Sequence, residues 1–292
     1  DNIISNYQTG KVGIDKEEII EFNYLLTSTV SKLEKIRPLL SLEKPNDNIE
    51  LQGDLQPNAL IKNWQNSVGC ARNSMKLDEI DAAQNKLEAL METASRLVLI
   101  RKKFDDNKDL IGNYEGFFND LQSRFTNCDE LLKSDIFVDE MNSAVDLLIK
   151  ISSHEKEFNR ELALLESGTF NANCFIERWQ ANKKVIKNSM KFKDVYDCSE
   201  VTLTLLRTGK NLLKIKTSIN KNEAIIGIFL GIESELENEF NECYTLGHSE
   251  ELSVKLSNII EGLERNKKLE QSYKKHSTIV SEEDKSKIEK LF

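Results

Sequence analysis

Residues 64–76 read WQNSVGCARNSMK, and residues 179–191 read WQANKKVIKNSMK. Trp64-Gln65 falls on Trp179-Gln180, and Asn73-Ser74-Met75-Lys76 on Asn188-Ser189-Met190-Lys191, both at a single shift of 115 residues. The same ungapped shift carries Ile61 onto Ile176, Leu97 onto Leu212, Ile111 onto Ile226 and Leu121 onto Leu236. It also carries Phe125 onto Phe240, Cys128 onto Cys243, and the set Phe137, Met141, Ala144, Leu148 onto Leu252, Leu256, Ile259, Leu263. So many matches in one register mark a tandem duplication, in which each unit packs its own apolar faces.

Within a unit the apolar residues step by three and four, the spacing that lines one face of a helix. In the first unit one stripe reads Ile61, Trp64, Val68, Ala71, Met75. A second runs Ile80, Ala83, Leu87, Leu90, Ala94, Leu97, Arg101, Phe104, slips near Asn107 to Asn113, and resumes as Ile111, Tyr114, Phe118, Leu121, Phe125, Cys128, Leu132. A third reads Phe137, Met141, Ala144, Leu148, Ile151, Glu155, Phe158, Leu162, Leu165, and Asp135 and His248 mark the breaks before the third helices. Narrow stripes of this kind are coiled-coil seams. The spacing predicts an all-α fold of two tandem three-helix coiled-coil repeats that resemble spectrin repeats. Helices of roughly 30 residues span about 45 Å, so two units in line make an elongated rod of about 100 Å. The predicted division is a neck helix within 1–50, repeats over 51–168 and 169–277, and a further segment from 278 to 292. Ser167-Gly168-Thr169 lies at the joint, where a glycine predicts a kink or brief unwinding. Trp64 and Trp179 read as core anchors, with Phe125, Phe240, Leu148 and Leu263 beside them, since large side chains early in a seam bury the most apolar area.

Composition agrees with long helices. Hydrophobic residues make up 39% and charged ones 30%, with 12 Gly and 3 Pro, which disfavours sheet. A net charge of −9 argues against a nucleic-acid partner. The five cysteines are scattered and form no CxxC pair, which reads as reduced thiols in a cytoplasmic protein. The longest apolar run, Ala224 to Ile232, is too short to cross a bilayer as a helix, so membrane insertion is not expected. Asp1 stands where an initiator Met is expected, which predicts a piece of a longer protein.

The ends carry a more specific likeness. Lys11-Val12, then Ile20, Phe22-Asn23, Leu25 and Pro38 resemble the neck of α-actinins, the helix between their actin-binding domains and their rod. Pro38 predicts a helix stop after Arg37. Leu263 through Tyr273, followed by Ser281-Glu282-Glu283-Asp284 to Leu291-Phe292, resembles the exit of that family's last repeat into its first EF-hand. Two repeats would make a short-rod member, and the tryptophan usual in the last helix of a spectrin repeat is missing near Leu148 and Leu263. The resemblance implies an F-actin cross-linker of the actin cytoskeleton whose rod pairs as an antiparallel homodimer and spaces actin-binding ends. It implies that F-actin is bound by N-terminal domains outside this chain and calcium by an EF-hand domain also outside it. No cofactor is expected in the chain itself. It further implies that the neck stripe Ile19, Phe22, Leu26, Leu33, Ile36 is the target of the EF-hand domain of the opposite subunit. An amphipathic helix with such anchors suits a calmodulin-type groove, although packing on the rod or pairing with its own kind would use the same pattern.

Charge clusters, basic at Lys183-Lys184, Lys187 and Lys191 to Lys193, acidic at Glu233, Glu235, Glu237 and Glu239, could match along an antiparallel pair or simply be solvated. Catalysis is not expected. His154, His248 and His276 lie far apart without metal-ligand spacing, there is no Gly-rich phosphate loop, and the abundant carboxylates read as salt-bridge partners. Two rival readings stand beside the cross-linker: a spectrin-class scaffold that does not cross-link actin, and a helical pore-forming toxin hiding the run Ala224 to Ile232.

Overall fold

The computed structural model describes residues 16–276, among which every regular element is helical and no strand occurs. The neck motif at Lys11-Val12 and the EF-hand-like exit from Ser281 lie outside the described residues. Among the described residues there are eleven α-helices: α1 (Lys16–Ser41), α2 (Asn58–Asn73), α3 (Ile80–Asp106), α4 (Lys108–Ile111), α5 (Glu115–Thr126), α6 (Leu131–Glu166), α7 (Asn173–Asn188), α8 (Val195–Lys221), α9 (Glu223–Ile226), α10 (Leu230–Glu242) and α11 (Leu246–His276). The 115-residue period is written into these bounds. α2, α3 and α4 reappear residue for residue as α7, α8 and α9, and α5 and α6 share their starting positions with α10 and α11.

Small local devices repeat with them. Glu79 accepts from the Lys76 backbone N–H at 3.0 Å, and Asp194 from that of Lys191 at 3.1 Å, closing equivalent 3-10 turns before α3 and α8. Thr93 and Thr208, both buried, donate to the carbonyls four residues back. Ser134 and Ser249 tie the first turns of α6 and α11 to the carbonyls of Leu131 and Leu246, both at 2.7 Å.

The expected second helix does not resume in line after its slip. α3 stops at Asp106, capped by Asn107, and the chain turns back through α4 into α5. The rings of Phe104 and Phe118 stack with centroids 5.8 Å apart, whereas residues so spaced in one straight helix would be ~21 Å apart. Lys108 and Gln122 both reach Asp54, at 2.7 and 2.8 Å. The second repeat reverses likewise: Lys216 of α8 donates to the Phe170 carbonyl at 2.7 Å, and the Phe170 ring meets Phe240 of α10 edge-on at 6.1 Å. Each repeat is therefore built from four principal helices where three were expected.

Three further expectations are corrected. α6 and α11 begin at Leu131 and Leu246, so Asp135 and His248 lie inside them, and the Thr245 hydroxyl accepts from the His248 backbone N–H at 3.3 Å. α1 continues through Pro38 to Ser41, because Arg72 donates to the Leu40 carbonyl and Ser41 Oγ to that of Pro38 at 2.6 Å. At Ser167-Gly168-Thr169 the chain leaves the helix altogether between Glu166 and Asn173, with Gly168 at φ +80°.

The chain forms two compact units, residues up to 108 with 118–143, and 109–117 with residues from 144 onward. A unit is not a sequence repeat, since α6 gives residues 131–143 to the first and 144–166 to the second. In the first unit Trp64, Leu87, Leu97, Phe125 and Phe137 are buried. In the second, Phe158 of α6 packs edge-on against Trp179 at 4.8 Å and Phe175 at 5.7 Å, while Leu212, Ile215 and Ile219 of α8 join Leu236 and Phe240 of α10 and Leu252, Leu256 and Leu263 of α11 in the same core.

Candidate interaction surface

The neck stripe divides. Ile19, Phe22, Leu26, Val30 and Leu33 share an exposed face of α1, with Leu26 50% exposed, and Ile20 and Leu25, to either side of it, are exposed as well. Ile36, expected on the same docking face, is only 1% exposed and belongs to the core of the first unit. The physical reason is local: the last turns of α1 are held against the unit by Lys32, which ion-pairs with Asp81, and by Arg72 at the Leu40 carbonyl. α1 is net acidic near its start, with Glu17, Glu18 and Glu21 against Lys16, and net basic near its end, with Lys32, Lys35 and Arg37 against Glu34. An acidic first turn suits the positive end of the helix dipole.

The charge clusters are partly used inside the second unit. Lys255 binds Glu235 and Glu239 at 2.6 and 2.5 Å, and Lys183 donates to Asn159 Oδ1 at 3.3 Å. A more telling pair of cations was not singled out by helical spacing. Arg101 donates to the carbonyls of Glu50 and Gln52 at 3.0 and 2.7 Å, and Lys216, its counterpart at +115, donates to those of Ser167 and Phe170. Each cation latches the loop before its repeat's first helix beside a glycine of positive φ, Gly53 at +105° or Gly168 at +80°. The signal was legible: the same shift places Gly53 on Gly168 and Arg101 on Lys216. A cavity of about 180 Å³ beside Lys216 is lined by Gly168, Lys216, Glu223 and Glu233.

Buried titratable groups serve packing. Glu155 is buried, and burial raises its pKa against the opposing charges of Lys183 and Lys187. The Tyr114 hydroxyl is pushed up to about 12, first by burial and then by the charge of Glu155. Cys128 and Cys243 occupy equivalent buried sites, and burial pushes the Cys243 thiol up to about 11, the opposite of what a reactive cysteine needs. Among the described residues no group of three or more His, Cys, Asp or Glu side chains could hold a metal ion. The apolar run Ala224 to Ile232 is divided between α9 and α10, and no described helix is long and apolar enough to cross a membrane.

No protein-family model, curated protein or solved structure matches this chain.

Proposed function

We propose that this chain is a non-catalytic helical spacer that pairs with a second copy of itself, the part that an α-actinin-like cross-linker assigns to the segment between its actin-binding and EF-hand domains. The observation that supports this reading is the duplicated interior. Buried polar groups such as Thr93 and Thr208, Ser134 and Ser249, or Arg101 and Lys216 close the same internal hydrogen bonds in both repeats, so they are taken up in holding the helices and loops together. Among the described residues, the apolar face of α1 is one surface open to partners, and Ile228, Phe229 and Leu230 are exposed in the second unit. Antiparallel pairing of two such spacers sets an actin-binding end at either side, and calcium sensitivity comes from domains outside these residues. The chain reversal within each repeat favours a second reading, a helical-repeat scaffold that holds partners other than actin, because the likeness to three-helix spectrin units does not include it.

Low-speed sedimentation of actin filaments with the whole protein tests the first reading. The whole protein should bundle filaments, and a version lacking residues 16–277 should still bind them without bundling. Bundling that persists without this segment, or no bundling by the whole protein, leaves the scaffold reading.

A further inference from the structure

The chain carries the seam of its repeat three times. A shift of 115 residues places Phe22, Leu26, Val30, Leu33 and Ile36 of α1 on Phe137, Met141, Val145, Leu148 and Ile151 of α6. A second shift places the first four on Leu252, Leu256, Ile260 and Leu263 of α11. In the later copies the stripe is core. Phe137, Met141, Val145 and Leu148 are buried, and Leu252, Leu256 and Leu263 pack with Leu212, Ile215 and Ile219 of α8 and Leu236 and Phe240 of α10. In α1 the terminal Ile36 alone is equally buried, and Phe22, Leu26, Val30 and Leu33 are exposed. Among the described residues no helix covers this copy of the seam before Ile36.

The flanks of the seam say what fits it. On α6, Asp135 and Glu140 border the stripe and bind Arg96 of α3 and Arg124 of α5. The corresponding positions of α1 are Ile20 and Leu25, both exposed. A hairpin like α3–α5 would bring arginines to positions that offer no carboxylate. Another α1 makes no such demand: about Leu26, Leu25 falls across from Thr27 of the second copy, and Lys32, across from Ile20, already has its carboxylate in Asp81 of its own chain.

We propose that α1 of a second copy closes this seam, the two helices running antiparallel about Leu26. Ile19 then lies across from Leu33 of the second copy and Phe22 across from Val30, in the three-and-four spacing of a two-helix seam. The orientation follows from charge. The acidic first half of each α1 lies along the basic second half of the other, whereas parallel pairing would set like charges side by side. This inference rests on the reading of the chain as self-pairing and names the surface that does it.

Sedimentation velocity of the whole chain at roughly 100 µM, a range that detects weak association, tests it. The chain should be dimeric, Leu26→Glu should weaken the dimer by about tenfold or more, and Leu132→Glu, at an exposed leucine elsewhere, should not. Circular dichroism should show unchanged helix content, since Leu26 supports no core. Orientation is read with Cys70→Ser chains: Ile19→Cys mixed with Leu33→Cys should cross-link under mild oxidation, and Ile19→Cys alone should not. A dimer indifferent to Leu26→Glu overturns this inference and leaves self-pairing standing through another surface. Self-cross-linking at position 19 overturns the antiparallel arrangement. A monomer at this concentration overturns both the inference and self-pairing, and if that monomer binds calcium-loaded calmodulin through Phe22, the occupant is an EF-hand groove.

Discussion

Trp179 is enclosed by Phe158 and shares its core with Phe175, and Trp64 holds the equivalent place in the first unit. Neither indole nitrogen has a hydrogen-bond partner among the described residues, so these side chains act through volume alone. Trp179→Ala should cost about 3–5 kcal/mol in chemical denaturation and Trp179→Phe less than half of that, because only the cavity matters. Gly209 is as constrained. A Cβ there would stand 2.2 Å from the Phe158 ring, which is itself fixed between Trp179 and Phe175. Gly209→Ala should destabilise by about 1–3 kcal/mol despite the better helix propensity of alanine, a reversal visible in denaturant titration. Glu155 makes a prediction about pH. Its folded-state pKa is raised, so the stability linked to its protonation is complete below the unfolded carboxylate pKa and is lost as pH rises through the folded value. Glu155→Gln should raise the melting temperature at pH 7.5 by about 2–4 °C and have little effect at pH 4, as followed by thermal denaturation.

Helix boundaries obeyed tertiary partners more than local propensity. Pro38 ought to have stopped α1, yet Arg72 holds the Leu40 carbonyl and the helix runs three residues past the proline. The loops before α2 and α7 are ordered by a cation from the long helix that follows, and the two repeats have solved this differently. Arg101 forks onto two carbonyls and pairs with the Glu50 carboxylate at 3.1 Å; Lys216 makes the carbonyl contacts alone. Arg101→Ala should therefore cost about 1–2 kcal/mol, since it removes two part-buried, charge-assisted hydrogen bonds, whereas Arg101→Lys should retain more than half of that, as the second repeat does. Lys216→Arg has a cavity of about 180 Å³ to enter, so it should be neutral or raise the melting temperature by about 1–3 °C. A melting series over these three variants checks both statements.

At the scale of the whole chain, a net charge of −9 sets it against an acidic filament. The isolated chain should not co-sediment with actin filaments at physiological salt, even if the protein that contains it does. The duplication and the all-helical class were legible in the sequence, because a stripe of apolar residues at three-and-four spacing is the mark of a helix, and an ungapped shift of 115 leaves one register. The exposed part of the candidate seam was legible too: Ile19, Phe22, Leu26 and Leu33 form one face by spacing alone. What spacing could not carry is direction. A helix that continues through Asn107 to Asn113 and one that turns back there show the same periodicity on either side, and the contacts that settle it, Phe104 with Phe118 and Gln122 with Asp54, join residues apart in sequence. Nor could it say that Ile36 is core while Leu33, three residues earlier, is exposed, since both lie on the same apolar stripe. Local sequence determined which residues must leave water; the tertiary structure decided what they leave it against, because that depends on chain reversals whose energy resides in long-range packing.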